Sequence, residues 1–499
     1  MRWSMRWMIV TGAALLAAGP LRAASAALPV TQSQDFVRAA SQVAVGSSLR
    51  LENVQVADTG EPQALVLERF EVFARDAKVT VHGDAGVTTV LPAPANAYFR
   101  GGIDGRPGSR AFVAVLADGT TQGLIADDDA IYLIGGDDAA TSKALALGGP
   151  LEMQRVDPVL LKASRNSGFR CDNDKLPSTP GSSLPVSLGA TAFDPAAVSA
   201  TSSVPAHTAM VAIESDYEFY QLFNNTTAAT TYIGNLIGYA STIYVSEINT
   251  SLAVQSVDLW STPSDPWTQT DSFCGLLEFG KYWNQNKTGV TRTTAHFLSG
   301  KATGGGISWV GVLCRGAFQA TTGSSPCSGL GATETSPYWG GAYGFTGNLF
   351  GTFNINSPSV VWDIDAVAHE IGHNFDSPHS HCYGGIGGNA SPIDQCYNQE
   401  TGSGCYTGAT ESLPGPAGQG SGTIMSYCHL LNPGMSNIKL TFGNNETYGV
   451  HPEREAALMS SYVTSVAGPS CLAPVVSAGI FSDGFEGGAL PGPWSGKTP

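Results

Sequence analysis

Residues 369–379 read His-Glu-Ile-Gly-His-Asn-Phe-Asp-Ser-Pro-His, and no other stretch restricts what this chain can fold into so strongly. His369 and His373 are four apart, so on a helix they stack on one face, one turn above the other. Glu370 then sits beside a metal held by that pair rather than on it, the place of a general base. His379 follows too far on to share the face, so the chain must turn sharply to return it as a third ligand. Three neutral imidazoles suit Zn²⁺ and leave a fourth position for water, as open sites do and closed structural sites do not. Ile364, Val367, Ala368, Ile371 and Phe375 recur at helical spacing through the run, so the helix carries an apolar stripe facing a core. Ser357-Pro358 upstream suits an N-cap followed by proline in the first helical position.

The run resembles the metzincin pattern, in which three histidines and a glutamate precede a methionine turn. Gly422-Thr423-Ile424-Met425-Ser426-Tyr427 is similar to that turn. His-Glu-Ile-Gly-His-Asn-Phe most resembles the adamalysin/reprolysin branch. Gly306 to Cys314 is similar to that branch's edge strand along the cleft, and Met210 to Tyr220 to its first strand and the entry to its first helix. The resemblance spans residues 205–471 and implies an α/β (α+β) catalytic domain with a twisted mixed sheet, an active-site helix and the Met-turn. It implies Zn²⁺ on His369, His373 and His379, Glu370 as catalytic base, and Met425 as an apolar floor under the imidazoles. Tyr427 matches a tyrosine that astacins and serralysins carry near the metal; it is either a donor to the oxyanion or a core residue. The family's glycine between the second and third histidines is Asp376 here. That position needs positive φ, which Asp and Asn tolerate best among residues with a Cβ.

The first 26 residues read as an export signal. Arg2 and Arg6 start it, Met8 to Gly19 is apolar, and Ala24-Ser25-Ala26 offers a small-residue cleavage site. The apolar stretch is too short to span a bilayer, which needs about 20 residues, and no other stretch qualifies. A secreted protein without a membrane anchor is expected, a monomer acting on protein or peptide substrates. The net charge of −16 argues against nucleic acid or an anionic membrane as partner. Acidic loops leave structural Ca²⁺ open, although no EF-hand-like loop occurs.

Of the nine cysteines, eight follow residue 205, an even set for disulfides in an oxidising compartment. The resemblance implies that Cys314 pairs with Cys471; the other pairings stay open. Cys171 stands alone upstream. As a thiolate it suits zinc, and metzincin zymogens often block the metal with such a cysteine. Cys171 is therefore read as a ligand of the latent form only, or else as an incidental thiol in a segment later discarded. Residues 27–204 are read as a propeptide. They carry strand-like runs such as Val54-Gln55-Val56 and Phe112 to Leu116, and Tyr98 to Ile134 weakly resembles adamalysin-family propeptides. The propeptide ends in a Ser/Ala/Pro-rich linker from 176 to 205, composed for flexibility and nicking. Residues 472–499 form a Gly- and Pro-rich extension with no assignment.

Within 205–471 the pattern predicts helices over Asp216–Phe223, Thr227–Tyr244, Gly275–Asn286, 361–375 and His451–Val466. It predicts strands over Leu252–Trp260, Thr293–Leu298 and Ile307–Leu313. His381 and His429 lie near the site in sequence and are either supports behind the metal ligands or surface residues, the surface being favoured; His296 is read as a strand residue, and His82 and His207 as carrying no chemistry. Two functions are expected to compete: a secreted zinc endopeptidase made as a zymogen, and a catalytically silent metzincin-like module that binds an extracellular partner. An intact Glu370 with all three histidines favours the enzyme.

Overall fold

The computed structural model describes residues 28–472 except 31–32, 128–129, 136–150, 163–168, 177–204, 321–326, 328, 331–335 and 469. The export signal, most of the expected linker and the tail beyond Leu472 lie outside the described residues. The N-terminal part forms β1 (Leu28–Val30), α1 (Ser33–Ala40), β2 (Ser48–Val56), β3 (Pro62–Phe70), β4 (Phe73–His82) and β5 (Thr88–Pro92). It continues through β6 (Ala97–Ile103), β7 (Arg110–Val115), β8 (Thr121–Asp127), β9 (Ala130–Ile134), β10 (Glu152–Arg155), α2 (Pro158–Lys162) and β11 (Arg170–Cys171). The remainder forms β12 (His207–Ser215), α3 (Tyr217–Gln221), α4 (Thr226–Ile248), β13 (Thr250–Trp260), α5 (Ser272–Asn286), β14 (Thr294–Leu298) and β15 (Gly305–Ser308). It ends with β16 (Phe318–Ala320), β17 (Ser336–Gly340), β18 (Tyr343–Thr346), α6 (Ser359–Asn374) and α7 (Arg454–Val466).

Among the described residues the first sheet runs β1-β2-β10-β9-β8-β7-β6-β3, and β2 also pairs with β3, so the strands from β2 round to β3 close a barrel. Successive strand residues point to opposite faces, and here both faces are buried. Ala111, Val113 and Val115 fill the barrel with Phe36 of α1, while Phe112 and Ala114 face outward into the core of the second part. That is why Phe112 to Leu116 is apolar throughout instead of alternating with polar residues. In β2 the register shifts between Leu51 and Val54, where Asn53 has φ 57°. The bulge moves the inward side from Leu49 and Leu51 to Val54 and Val56.

The second sheet runs β11-β15-β18-β14-β12-β13-β4-β5, a mixed α/β arrangement in which the N-terminal part supplies strands at both margins. β4 lies parallel to β13, and β11 lies parallel to β15. α4 is buried on nearly every side, as a helix enclosed by two layers must be. Its Gly234 and Gly238 allow the barrel to approach closely: a Cβ on Gly238 would sit 2.4 Å from the Phe112 ring. Arg110 of β7 closes the contact with an ion pair to buried Glu247 at 2.7 Å.

The helices and strands expected from the sequence are present, with two corrections. The strand expected over Ile307–Leu313 stops at Ser308, because the backbone then bends to satisfy the end of α6. Gly311 N donates to His373 O (2.9 Å) and Val312 N to Asn374 O (3.1 Å). Ser357 is not the N-cap of that helix. Pro358 takes the cap position without a side-chain bond, and Ser357 bridges to Asn354. Four disulfides join Cys274–Cys327, Cys314–Cys471, Cys382–Cys405 and Cys396–Cys428, and Cys171 is free. No described helix is long and apolar enough to cross a membrane.

Candidate metal centre

α6 carries His369, Glu370 and His373, all buried. Its C-terminal end is stopped by a left-handed residue, Asp376, with φ 75°. Asp376 N donates to His373 O (2.9 Å) and Ser377 N to Gly372 O (3.2 Å), a pairing that reverses the chain after a helix. This turn returns His379 to the helix. Burial pushes the Asp376 carboxyl up to about 7, so the substitution for glycine keeps the turn but encloses a carboxyl.

The three imidazoles converge. Ring centroids lie 4.8 Å apart for His369 and His373, 5.2 Å for His369 and His379, and 4.7 Å for His373 and His379. Each Nδ1 bonds outward: His369 to Ile424 O (2.7 Å), His373 to Ser377 O (2.7 Å), and His379 to Glu400 Oε2 (2.6 Å). An unprotonated oxygen can only accept, so each proton sits on Nδ1 and each Nε2 lone pair points inward. Burial and mutual repulsion hold His369 and His373 far below the usual imidazole range, so both are neutral. His379 Nε2 is buried with no hydrogen-bond partner. Inward lone pairs, one of them orphaned, fit a divalent cation. Met425, fully buried, lies under α6, its Sδ against Gly372, and Ser380 N donates to its carbonyl (3.0 Å).

β11 brings Cys171 into the same cluster. Its Sγ, the two helical Nε2 atoms and a His379 nitrogen lie within 4.8 Å of one another. Sγ is 3.4 Å from His373 Nε2 and donates to Glu370 Oε2 at 3.5 Å. Burial, then the Glu370 charge, pushes the thiol well up. Burial likewise raises Glu370, whose Oε1 has no partner. Gly306 of β15 leaves the room for this carboxylate, since a Cβ there would meet Oε1 at 2.2 Å. The backbone of β11 is held by β15, with Asp172 N donating to Gly306 O (3.0 Å). Tyr427 OH donates to Cys171 O at 2.5 Å, and its ring lies 4.6 Å from that of His379.

The expectation of surface positions for His381 and His429 is corrected. Both are buried, at 0% and 5% exposure. His381 Nε2 bonds Glu400 Oε2 at 2.8 Å, and its ring stacks on His379 at 5.2 Å and 9°. His429 Nε2 bonds Phe169 O at 3.0 Å. Glu400 itself was missed by reading the sequence. It accepts from His379 and His381 together, and against the upward push of burial these two hold its carboxyl well below the usual range. Only its place between Cys382 and Cys405, which prove to be paired, hints that its loop is drawn back to the site. His82, assigned no chemistry, bonds Asp258 Oδ1 at 2.7 Å and ties β4 to β13. His296 is a buried strand residue bonded to Thr346. No cluster of three carboxylates occurs among the described residues, so calcium gains no support.

Fold and site together support a metalloprotease. Residues 206–438 match the model of metallo-peptidase family M12, Reprolysin_5, which supports a reprolysin-like metalloprotease over that stretch, a family that implies zinc. No curated protein matches the sequence. Among solved structures, metalloproteinase-II from Bacteroides fragilis aligns at 11% identity and a TM-score of 0.36, covering 71% of this chain and 89% of its own.

Proposed function

We propose that the chain is a secreted zinc endopeptidase made as a zymogen, with residues 27–204 as its propeptide and 205–471 as its catalytic domain. The observation that carries this reading is Cys171, delivered on a strand laid along β15, with its sulfur among the Nε2 atoms of His369, His373 and His379. Those three histidines would hold the zinc, with Cys171 as a further ligand in the latent form. Zinc, when bound, supplies a Lewis acid that polarises a peptide carbonyl and lowers the pKa of water to about 7.

The chain's own groups do the rest. While β11 is in place, Glu370 is engaged by the thiol. Once β11 leaves, its carboxylate is free to take a proton from the attacking water and pass it to the departing amine nitrogen. Tyr427 already donates to a peptide carbonyl, that of Cys171, so a substrate carbonyl in the same place receives the same bond. Met425, as the Met-turn, packs beneath the ligands and takes no part in proton transfer. Four disulfides and the N-terminal signal support export.

Glu370→Ala in the full chain is expected to fold and retain zinc while cleaving no peptide; wild-type cleavage would remove Glu370 as the base. Cys171→Ala is expected to be active before processing, and an equally latent variant would assign latency to steric cover by β11. A processed, zinc-loaded wild type that cleaves nothing would leave the silent binding module.

A further inference from the structure

Phe169 is held by the second part of the molecule although it belongs to the first. In an extended segment, residues two apart share a face, and Phe169 and Cys171 both point inward while Arg170 is exposed. The Arg170 guanidinium lies over Tyr397 at 5.8 Å. Cys171 reaches the cluster of three histidines. Phe169, at 4% exposure, enters a separate slot nearby. Its ring meets Trp362 edge to face at 4.9 Å, Trp362 meets His429 at 5.2 Å, and His429 bonds the Phe169 carbonyl at 3.0 Å. Trp362 lies on α6, two turns before His369, and His429 follows Tyr427, so both walls are anchored to the elements that carry the site.

We infer that this slot, walled by Trp362 and His429, selects peptides bearing an aromatic side chain within a residue or two of the bond to be cut. The inference rests on the protease reading above. Phe169 is the occupant the latent chain supplies for itself. It is seated by an edge-to-face ring contact and by a backbone bond, features that any peptide with an aromatic residue reproduces. Its neighbour on the same face stands at the metal, so an aromatic side chain in the slot places the adjoining backbone beside Glu370 and Tyr427. Arg170, itself exposed over the half-buried Tyr397 ring, marks the next position as open to solvent and tolerant.

Two measurements test this. In the full chain, the rate at which N-ethylmaleimide labels Cys171 reports how often β11 lifts away. Burying a phenylalanine is worth roughly a tenfold to hundredfold shift in such an equilibrium, so Phe169→Ala should speed labelling by about that factor, and Phe169→Tyr by far less. Labelling of Phe169→Ala at the wild-type rate would overturn the slot. The processed enzyme is then offered a randomised peptide library. Phe or Tyr should be enriched at least about tenfold over Ala at one fixed position beside the cut. Trp362→Phe, which keeps the wall aromatic and leaves more room, should shift that preference towards Trp. Cleavage with no aromatic preference, or a preference unmoved in both Trp362→Phe and Trp362→Ala, would overturn the inference and leave the protease reading intact. Absence of all cleavage would instead overturn the protease reading, and the pocket with it.

Discussion

Replacing Glu400 with alanine removes the one acceptor shared by His379 Nδ1 at 2.6 Å and His381 Nε2 at 2.8 Å. The carboxylate does two things for the metal. It fixes the His379 proton on Nδ1, so that Nε2 keeps its lone pair, and it holds the ring at the angle at which it faces His369 and His373. Without it the proton is free to move to Nε2, where it blocks ligation. Glu400 has only 14% of its side chain exposed, so water replaces it poorly. Loss of such an outer partner costs about 10- to 100-fold in metal affinity, or about 1.4–2.8 kcal/mol. The assay is zinc competition against a chromogenic chelator, run in a Cys171→Ala background so that the thiol does not mask the loss. Glu400→Gln keeps an acceptor oxygen without its charge and should fall between alanine and wild type. Zinc affinity of Glu400→Ala within twofold of the parent would refute the reasoning and reduce Glu400 to a loop anchor.

Two further outcomes are expected. Gly238→Val places methyl groups where Phe112 lies, and overpacking of this kind costs about 1–3 kcal/mol; urea unfolding of the full chain should register it, with faster Cys171 labelling as the barrel loosens. Asp363 is buried, and desolvation lifts its carboxyl to about 6 although its Oδ2 accepts from Tyr232, Phe350 and Gly351. A raised folded-state pKa means the folded chain holds this proton more tightly, so the contribution is full below about pH 4 and is lost as pH rises through about 6, a fall of about 3 kcal/mol. Asp363→Asn keeps one acceptor oxygen and does not titrate, so the stability of the variant relative to wild type should climb across that window; a flat difference would contradict the assignment.

The metal centre was legible because its signal is local. Four functional side chains fall within eleven residues of one helix and its turn, and helical spacing alone places two histidines and a glutamate. Asp376 was legible for the same reason, since a tight return after a helix demands positive φ whichever residue occupies it. Cys171 was legible by elimination among cysteines, though its place in the cluster needed the strand pairing to β15. Glu400 and His381 were not, because a loop carboxylate acquires its role only when a disulfide-bracketed segment folds back. His82 was hidden more deeply. Its partner Asp258 is 176 positions away, and a parallel strand pair at that range leaves no trace in spacing or periodicity.

The pairing of β4 with β13 has a consequence for the order of events during synthesis. β4 leaves the ribosome well before the strand it will flank, so when β13 emerges its neighbour is already waiting with a row of unpaired amides and carbonyls. The first part of the chain thereby serves as a template against which the later sheet sets its register, and the late-emerging β15 is capped by β11 in the same manner. A polypeptide beginning at residue 205 would have to find that register unaided, with β13 as a bare sheet margin open to any other strand. The first part thus lends the later sheet both of its margins, apart from any restraint it places on the site.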